Sequence, residues 1–193
     1  MESNIIIQSI QTNGDGNCFF YAFLTCLLER IPTKEEVMKC KINCATLLSP
    51  YTLLPYCKEE VRCIVSKAVE NDEELKKIVE TDFDKSIERN EINNLLQQIL
   101  SSFKIHISTD GIWPDDWAQQ FCGKIHKVNI IVYLDSCKMF TPIFEIVEEW
   151  PVIVLFNRHN LHWEAAVIII KKEGSEDRIF WKQSYENIKK LIN

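Results

Sequence analysis

The sequence predicts an α+β fold, with helices filling the N-terminal half and a mostly antiparallel central sheet, packed between helices, assembled from the C-terminal half. Three observations carry that reading. Apolar residues recur at helical spacing as far as Phe103. Beyond Gly123 the pattern changes to short alternating segments separated by turn residues. Near the start, the turn Gly14-Asp15-Gly16-Asn17 gives way abruptly to a dense apolar stretch beginning at Cys18. With 193 residues the chain is long enough to bury a full core, and it reads as one domain, 1–193.

In order, Ile5 to Ile10 is a short strand rich in β-branched residues. From Phe19 to Leu28 the apolar residues run almost all round a helix, Thr25 being the main exception, so this helix is expected to be buried on every side. Thr33-Lys34-Glu35-Glu36 has the form of a capping box, opening a helix with Val37, Met38, Cys44, Leu47 and Leu48 that Ser49-Pro50 closes. An amphipathic helix follows through Val61, Ile64, Val65, Ala68 and Val69, and Asn71-Asp72-Glu73-Glu74 caps a short one to Val79. Ile92, Leu95, Leu96, Ile99, Leu100 and Phe103 give a further helix, bounded by Ser108-Thr109-Asp110-Gly111. Pro114, Asp115 and Asp116 start the last of the series, with Gly123 as its expected stop. Strands are expected at Val128–Leu134, Thr141–Val147, Val152–Phe156, His162–Ile170 and Arg178–Lys182.

A formal charge of −6 and a pI near 5.3 argue against a general nucleic-acid binder. The apolar run at the N-terminus is too short for a signal peptide, and no run approaches the length that spans a bilayer. The eight cysteines include no CxxC pair, and no two histidines have zinc-finger spacing. They read as reduced thiols of a cytoplasmic protein, without a metal or cofactor.

Cys18 falls at the start of the buried helix, where unpaired N–H groups and the macrodipole favour an anion and lower a thiol pKa. A small apolar residue at a helix start fits the same position, and spacing leaves both readings open. A nucleophilic thiol needs a base. Of the four histidines, His106 and His126 are expected in solvated positions and His159 in the turn Asn157-Arg158-His159-Asn160. His162 opens an alternating strand in which Glu164 shares its face. A carboxylate so placed can orient an imidazole, the third role of a triad.

Asp15-Gly16-Asn17-Cys18-Phe19-Phe20-Tyr21-Ala22 resembles the nucleophile motif of the ovarian-tumour (OTU) deubiquitinases, D-G-[ND]-C-[LF]-[FY]-R-A. Asn160-Leu161-His162-Trp163-Glu164 resembles their histidine motif, and Trp113 to Val132 their intervening helix and strand. The likeness spans Ile7 to about Val167, with Tyr21 in place of the usual Arg. It implies a papain-like cysteine protease, monomeric, cleaving after the C-terminal glycine of ubiquitin or polyubiquitin. Carried over, Cys18 is the nucleophile and His162 the general base. Glu164 is the orienting acid, one methylene longer than the usual Asp, and Asn160 is a second candidate for that role. Asp15 organises the turn, so that Gly16, Asn17 and Cys18 offer N–H groups to the oxyanion, worth about 3–4 kcal/mol per donor in other proteases. Trp163, and Asn160 beside it, would line the channel for the tail Leu-Arg-Gly-Gly, with Glu73, Glu74 and Asp82 candidates to meet its basic face. A compact OTU domain of this kind fits an effector working in a host cytosol. Two alternatives stand beside it: a silent OTU-like module that binds ubiquitin without cutting, and a papain-like protease acting on another modifier.

Overall fold

The computed structural model describes residues 4–49, 52, 89–114, 116–159, 161–171 and 178–192. The chain divides into two compact units, one formed by residues 1–41 and 110–193 and the other by 42–109. The first unit holds the whole sheet. Its strands are β1 (Asn4–Ile10), β2 (Asn129–Leu134), β3 (Met139–Pro142), β4 (Val152–Arg158), β5 (His162–Lys171) and β6 (Arg178–Phe180). They lie in the order β1-β5-β4-β2-β3, and β6 joins β5. Only the β2–β4 pair is parallel among the described strands. The α+β architecture expected from the sequence is therefore the one observed.

β5 is the spine of the sheet. One edge pairs with β1 from Ile10↔Ala165 to Asn4↔Lys171. Its other edge pairs first with β4, from Arg158↔His162 to Leu155↔Ala165, and then with β6 around Ile169↔Ile179. Because side chains alternate, His162, Glu164, Ala166 and Ile168 share one face with Phe156 and Arg158 of β4, while Trp163 and Ala165 look the other way. On the first face Ile131, Val154, Phe156, Ala166 and Ile168 form a cluster with Ile188 of helix α5 (Tyr185–Ile192).

The opposite face carries helix α1 (Cys18–Leu28), whose residues from Cys18 to Cys26 are all buried. Phe19 meets Trp163 edge-on at 5.4 Å, and Cys26 Sγ lies 3.7 Å from the Val154 carbonyl oxygen. The one hydroxyl in this apolar stretch, Thr25 Oγ1, donates to the Tyr21 carbonyl at 2.7 Å, so its burial leaves no polar atom stranded. Leu28 departs from the sequence expectation. It is 42% exposed, because the chain turns away at Glu29 in the left-handed region (φ 60).

Helix α2 (Lys34–Leu47) opens with the expected capping box: Thr33 N–H donates to Glu36 Oε2 at 2.8 Å and Glu36 N–H to Thr33 Oγ1 at 3.2 Å. In the second unit, α3 (Arg89–Ser108) begins ahead of the expected Ile92 and ends at the expected boundary, Ser108. The helices expected around Val61 to Val69 and from Asn71 to Val79, with Glu73, Glu74 and Asp82, lie outside the described residues.

Two boundaries need correction. Helix α4 (Asp116–Ile125) runs through Gly123 instead of stopping there. A Cβ at Gly123 would come within 2.5 Å of the Phe144 ring, so the glycine serves close packing, and the helix ends where Lys127 takes φ 51. The expected strand Thr141–Val147 is the shorter and earlier β3. The chain after Pro142 is tied instead to the buried Asn129, whose Nδ2 donates to the carbonyls of Val147 (2.8 Å) and Trp150 (2.9 Å), while its Oδ1 accepts the Val147 N–H (2.9 Å). A side-chain amide satisfies these backbone groups in place of a ladder. All described cysteines are free thiols, and no described helix is long and apolar enough to cross a membrane.

Phe23 is fully buried, stacked on Phe19 at 5.8 Å and edge-on to His126 at 5.3 Å. Phe23→Ala is expected to cost about 3–5 kcal/mol in urea denaturation. A loss below about 1 kcal/mol would show that α1 is not the centre of the core.

Candidate active site

The turn preceding α1 is assembled around one buried amide. Asp15 Oδ1 accepts the main-chain N–H of Asn17 at 3.1 Å and its Nδ2 at 3.2 Å. The same Nδ2 donates to Asp110 Oδ1 at 2.7 Å. Asn17 Oδ1 in turn accepts from Lys41 Nζ at 2.8 Å and from the Gly111 N–H at 3.1 Å. Asn17 is fully buried, and its amide is satisfied on both sides. Gly16 sits at φ 82, and a Cβ there would lie 2.1 Å from the Gly111 carbonyl oxygen, so backbone meets backbone where only glycine fits.

Lys41 secures this arrangement from α2. It is fully buried, donates also to the Ile112 carbonyl at 3.3 Å, and lies 5.1 Å from the centre of the Phe20 ring. Burial pushes its ammonium below the ordinary lysine range, while Asp110, Asp15 and Cys122 pull the other way. Lys34 pairs with Asp110 Oδ2 at 2.7 Å, and its hydrogen bond, with that of Asn17, draws the Asp110 carboxyl down.

Cys18 follows directly, at the first position of α1 and 1% exposed. Burial pushes its thiol above the ordinary range, and outweighs the main-chain amides of Trp163, Phe19 and Cys18 that point at the sulfur; the Asp15 carboxylate adds to the rise. The lowered thiol expected from a helix N-terminus is thus corrected. The amides are there, but the cost of desolvating a thiolate at a closed position is larger.

The Trp163 amide lies against the sulfur, so the main chain at the start of β5 runs beside the N-terminus of α1, while the His162 side chain is on the sheet face away from α1 and, among the described residues, makes no hydrogen bond or ion pair with Cys18. Trp163 is held from the other side by Thr12 Oγ1, which donates to its carbonyl. His162 is half-buried. Glu164 is buried on His162's face of the sheet, but its partner among the described residues is Arg158, whose Nε donates to Oε2 at 3.0 Å. Asn160 lies outside the described residues. Of the expected oxyanion donors, Asn17 has its N–H committed to Asp15. The other histidines are elsewhere: His159 is 74% exposed near Asp135, and His126 is exposed with its ring against Phe23. Trp163 also walls a cavity of about 370 Å³ with Val132, Leu134, Ile143, Asp116 and Gln119.

Sequence reasoning missed Lys41, Asp110, Gly111 and Arg158. For Lys41 a signal existed, because it occupies the apolar stripe Val37, Lys41, Cys44, Leu48 at helical spacing, where a cation must find partners. The other three depend on contacts distant in sequence.

No protein-family model matches the chain, and no curated protein is similar to it. Among solved structures it is similar to an ovarian-tumour (OTU) domain in complex with ubiquitin, at 9% identity and TM-score 0.49, covering 89% of this chain and 77% of that one. It is similar also to an OTU deubiquitinase from Wolbachia pipientis (14%, TM-score 0.47, 83% and 87% covered). A third is the viral OTU domain protease from Farallon virus (21%, TM-score 0.45, 86% and 89% covered). All three are OTU domains.

Gly16→Ala is expected to unfold the turn, since it adds about 1–3 kcal/mol of backbone strain to the clash with Gly111; loss of exchange protection at the Asn17 amide would report it. Lys41→Met leaves Asn17 Oδ1 and the Ile112 carbonyl each short of a donor, an expected loss of about 1–3 kcal/mol in urea denaturation. Unchanged stability in either variant would contradict the described hub.

Proposed function

We propose that the chain is a thiol-dependent hydrolase of the OTU kind, a deubiquitinase that cleaves isopeptide or peptide bonds after the C-terminal glycine of ubiquitin. The observation that carries this reading is the contact of the Trp163 main chain with the Cys18 sulfur. It joins two motifs far apart in sequence, each resembling one half of the same catalytic apparatus.

In this mechanism the Cys18 thiol passes its proton to His162 as the sulfur–carbon bond forms at the carbonyl of ubiquitin's last glycine. The oxyanion that develops is met by N–H groups of the turn, among them that of Gly16. Asn17 joins them only if its N–H leaves Asp15. When the carbon–nitrogen bond breaks, His162 returns the proton to the departing lysine amine. Water then attacks the thioester, giving its proton to His162, and the sulfur–carbon bond breaks to restore the thiol. Glu164 orients the imidazole and stabilises its protonated form. Asp15 holds the turn and moves no proton. The cavity beside Trp163 offers apolar walls and the carboxylate of Asp116 to a tail carrying a leucine and an arginine.

A second reading, a silent module that binds ubiquitin without cutting it, is favoured by one observation: the Cys18 thiol is closed off and burial pushes it above the ordinary range. A panel of di-ubiquitins incubated with the wild type and with Cys18→Ala separates the two. Cleavage by the wild type and none by the variant is the expected result. Binding without cleavage would establish the silent module, and inactivity without binding would direct attention to another ubiquitin-like modifier.

A further inference from the structure

Arg158 is the last residue of β4 and the direct cross-strand partner of His162. Both side chains lie on the face that also carries Glu164. Its guanidinium is engaged on every nitrogen: Nε donates to Glu164 Oε2 at 3.0 Å, Nη2 to Ser9 Oγ at 3.0 Å, and Nη1 lies 3.4 Å from Asp135 Oδ2. The plane is backed by the Phe156 ring, 4.8 Å from the guanidinium carbon. One side chain therefore ties β1, β4, β5 and the turn after β2 together at the end of the sheet where His162 begins.

A glutamate has one more rotatable bond than an aspartate, so alone it would fix an imidazole less well. Here one guanidinium N–H, that of Nε, holds one carboxylate oxygen in a site where the Glu164 side chain is only 8% exposed, while Ser9 and Asp135 fix the rest of the guanidinium. An ionised carboxylate buried to this extent requires such a partner. Across the β4–β5 pair Arg158 faces His162 while Glu164 faces Phe156, so the Arg158–Glu164 bond runs diagonally between the position opposite His162 and Glu164.

We propose that Arg158 is a positioning residue: by gripping Glu164 Oε2 it fixes the carboxylate so that Oε1 faces the imidazole of His162. This rests on the reading of His162 as the base and Glu164 as its acid, and adds the group that makes a glutamate serve where a shorter acid would need no clamp. The charged and titratable groups joined to this clamp are Glu164 and Asp135, which Arg158 meets directly, and His159, which meets Asp135; His162 lies across from Arg158 in the β4–β5 pair.

The test is a double-mutant cycle read on the His162 ring nitrogens, whose 15N chemical shifts are followed by NMR at fixed pH in the full chain and assigned with His162→Gln. The proteins are wild type, Glu164→Gln, Arg158→Met and the double variant. A positioned carboxylate accepts the N–H of the ring nitrogen it faces, so Glu164→Gln should shift that nitrogen in the wild-type background. With Arg158 gone the carboxylate is loose, and the same substitution should shift it by less than half as much. Equal shifts in both backgrounds would reduce Arg158 to a fixed background charge. A larger shift in the Arg158→Met background would mean that Arg158 draws Glu164 away from His162; either result overturns the proposal. Arg158→Lys keeps the cation without the fork and protects the test should Arg158→Met fail to fold; its cycle should resemble that of Arg158→Met. Turnover of ubiquitin substrates by the same proteins separates the two levels: the coupling with no turnover refutes the deubiquitinase reading alone, while turnover without the coupling refutes the clamp alone.

Discussion

The candidate site depends on the satisfaction of one buried side chain. Asn17 has no solvent to fall back on, and each of its polar atoms is met by a group from a different part of the chain. Asp15 comes from the same turn, Lys41 from α2, and Asp110 and Gly111 from the chain before α4. An amide left short of partners in such a place costs about 1–3 kcal/mol, comparable with a fair part of a domain's net stability. The turn is therefore fixed by polar demand, the close approach of Gly16 to Gly111 follows from it, and α1 can begin only where it does. The position of the Cys18 sulfur is a consequence.

What the turn does for the sulfur, the sheet does for the imidazole. β5 is paired along both edges, which leaves its first residues little freedom in register. A shift by one residue would send His162 and Glu164 to the face of α1 and bring Trp163 to the other. That shift would also break the Arg158–Glu164 ion pair and the edge-on contact of Phe19 with Trp163, so the packing on the two faces sets the address of two polar side chains. The burial that makes α1 a stable anchor also pushes the Cys18 thiol above the ordinary range.

The parts legible in the sequence are those written in local pattern. The all-apolar course of Phe19 to Leu24 places α1, the Thr33–Glu36 pair starts α2, and alternation after His162 gives the face shared with Glu164. Two motifs resembling one family mark both halves of the site. Illegible parts depend on partners far along the chain. That Arg158 lies opposite His162 is a matter of register between β4 and β5. That Asn129 stitches the chain near Val147, and so shortens β3, needs a side chain that reads locally as part of a strand. The direction of the Cys18 pKa was missed because a helix N-terminus is visible in sequence, whereas the depth at which it is buried is not.

The central claim is that the Cys18 sulfur attacks the C-terminal carbonyl of ubiquitin with His162 taking its proton. The most direct measurement is reaction of the full chain with ubiquitin bearing an electrophilic C-terminus, followed by intact mass and peptide mapping of the adduct. The account predicts a single adduct on Cys18, formed far more slowly in His162→Gln. An adduct on another cysteine, or equal rates in the two proteins, would contradict it.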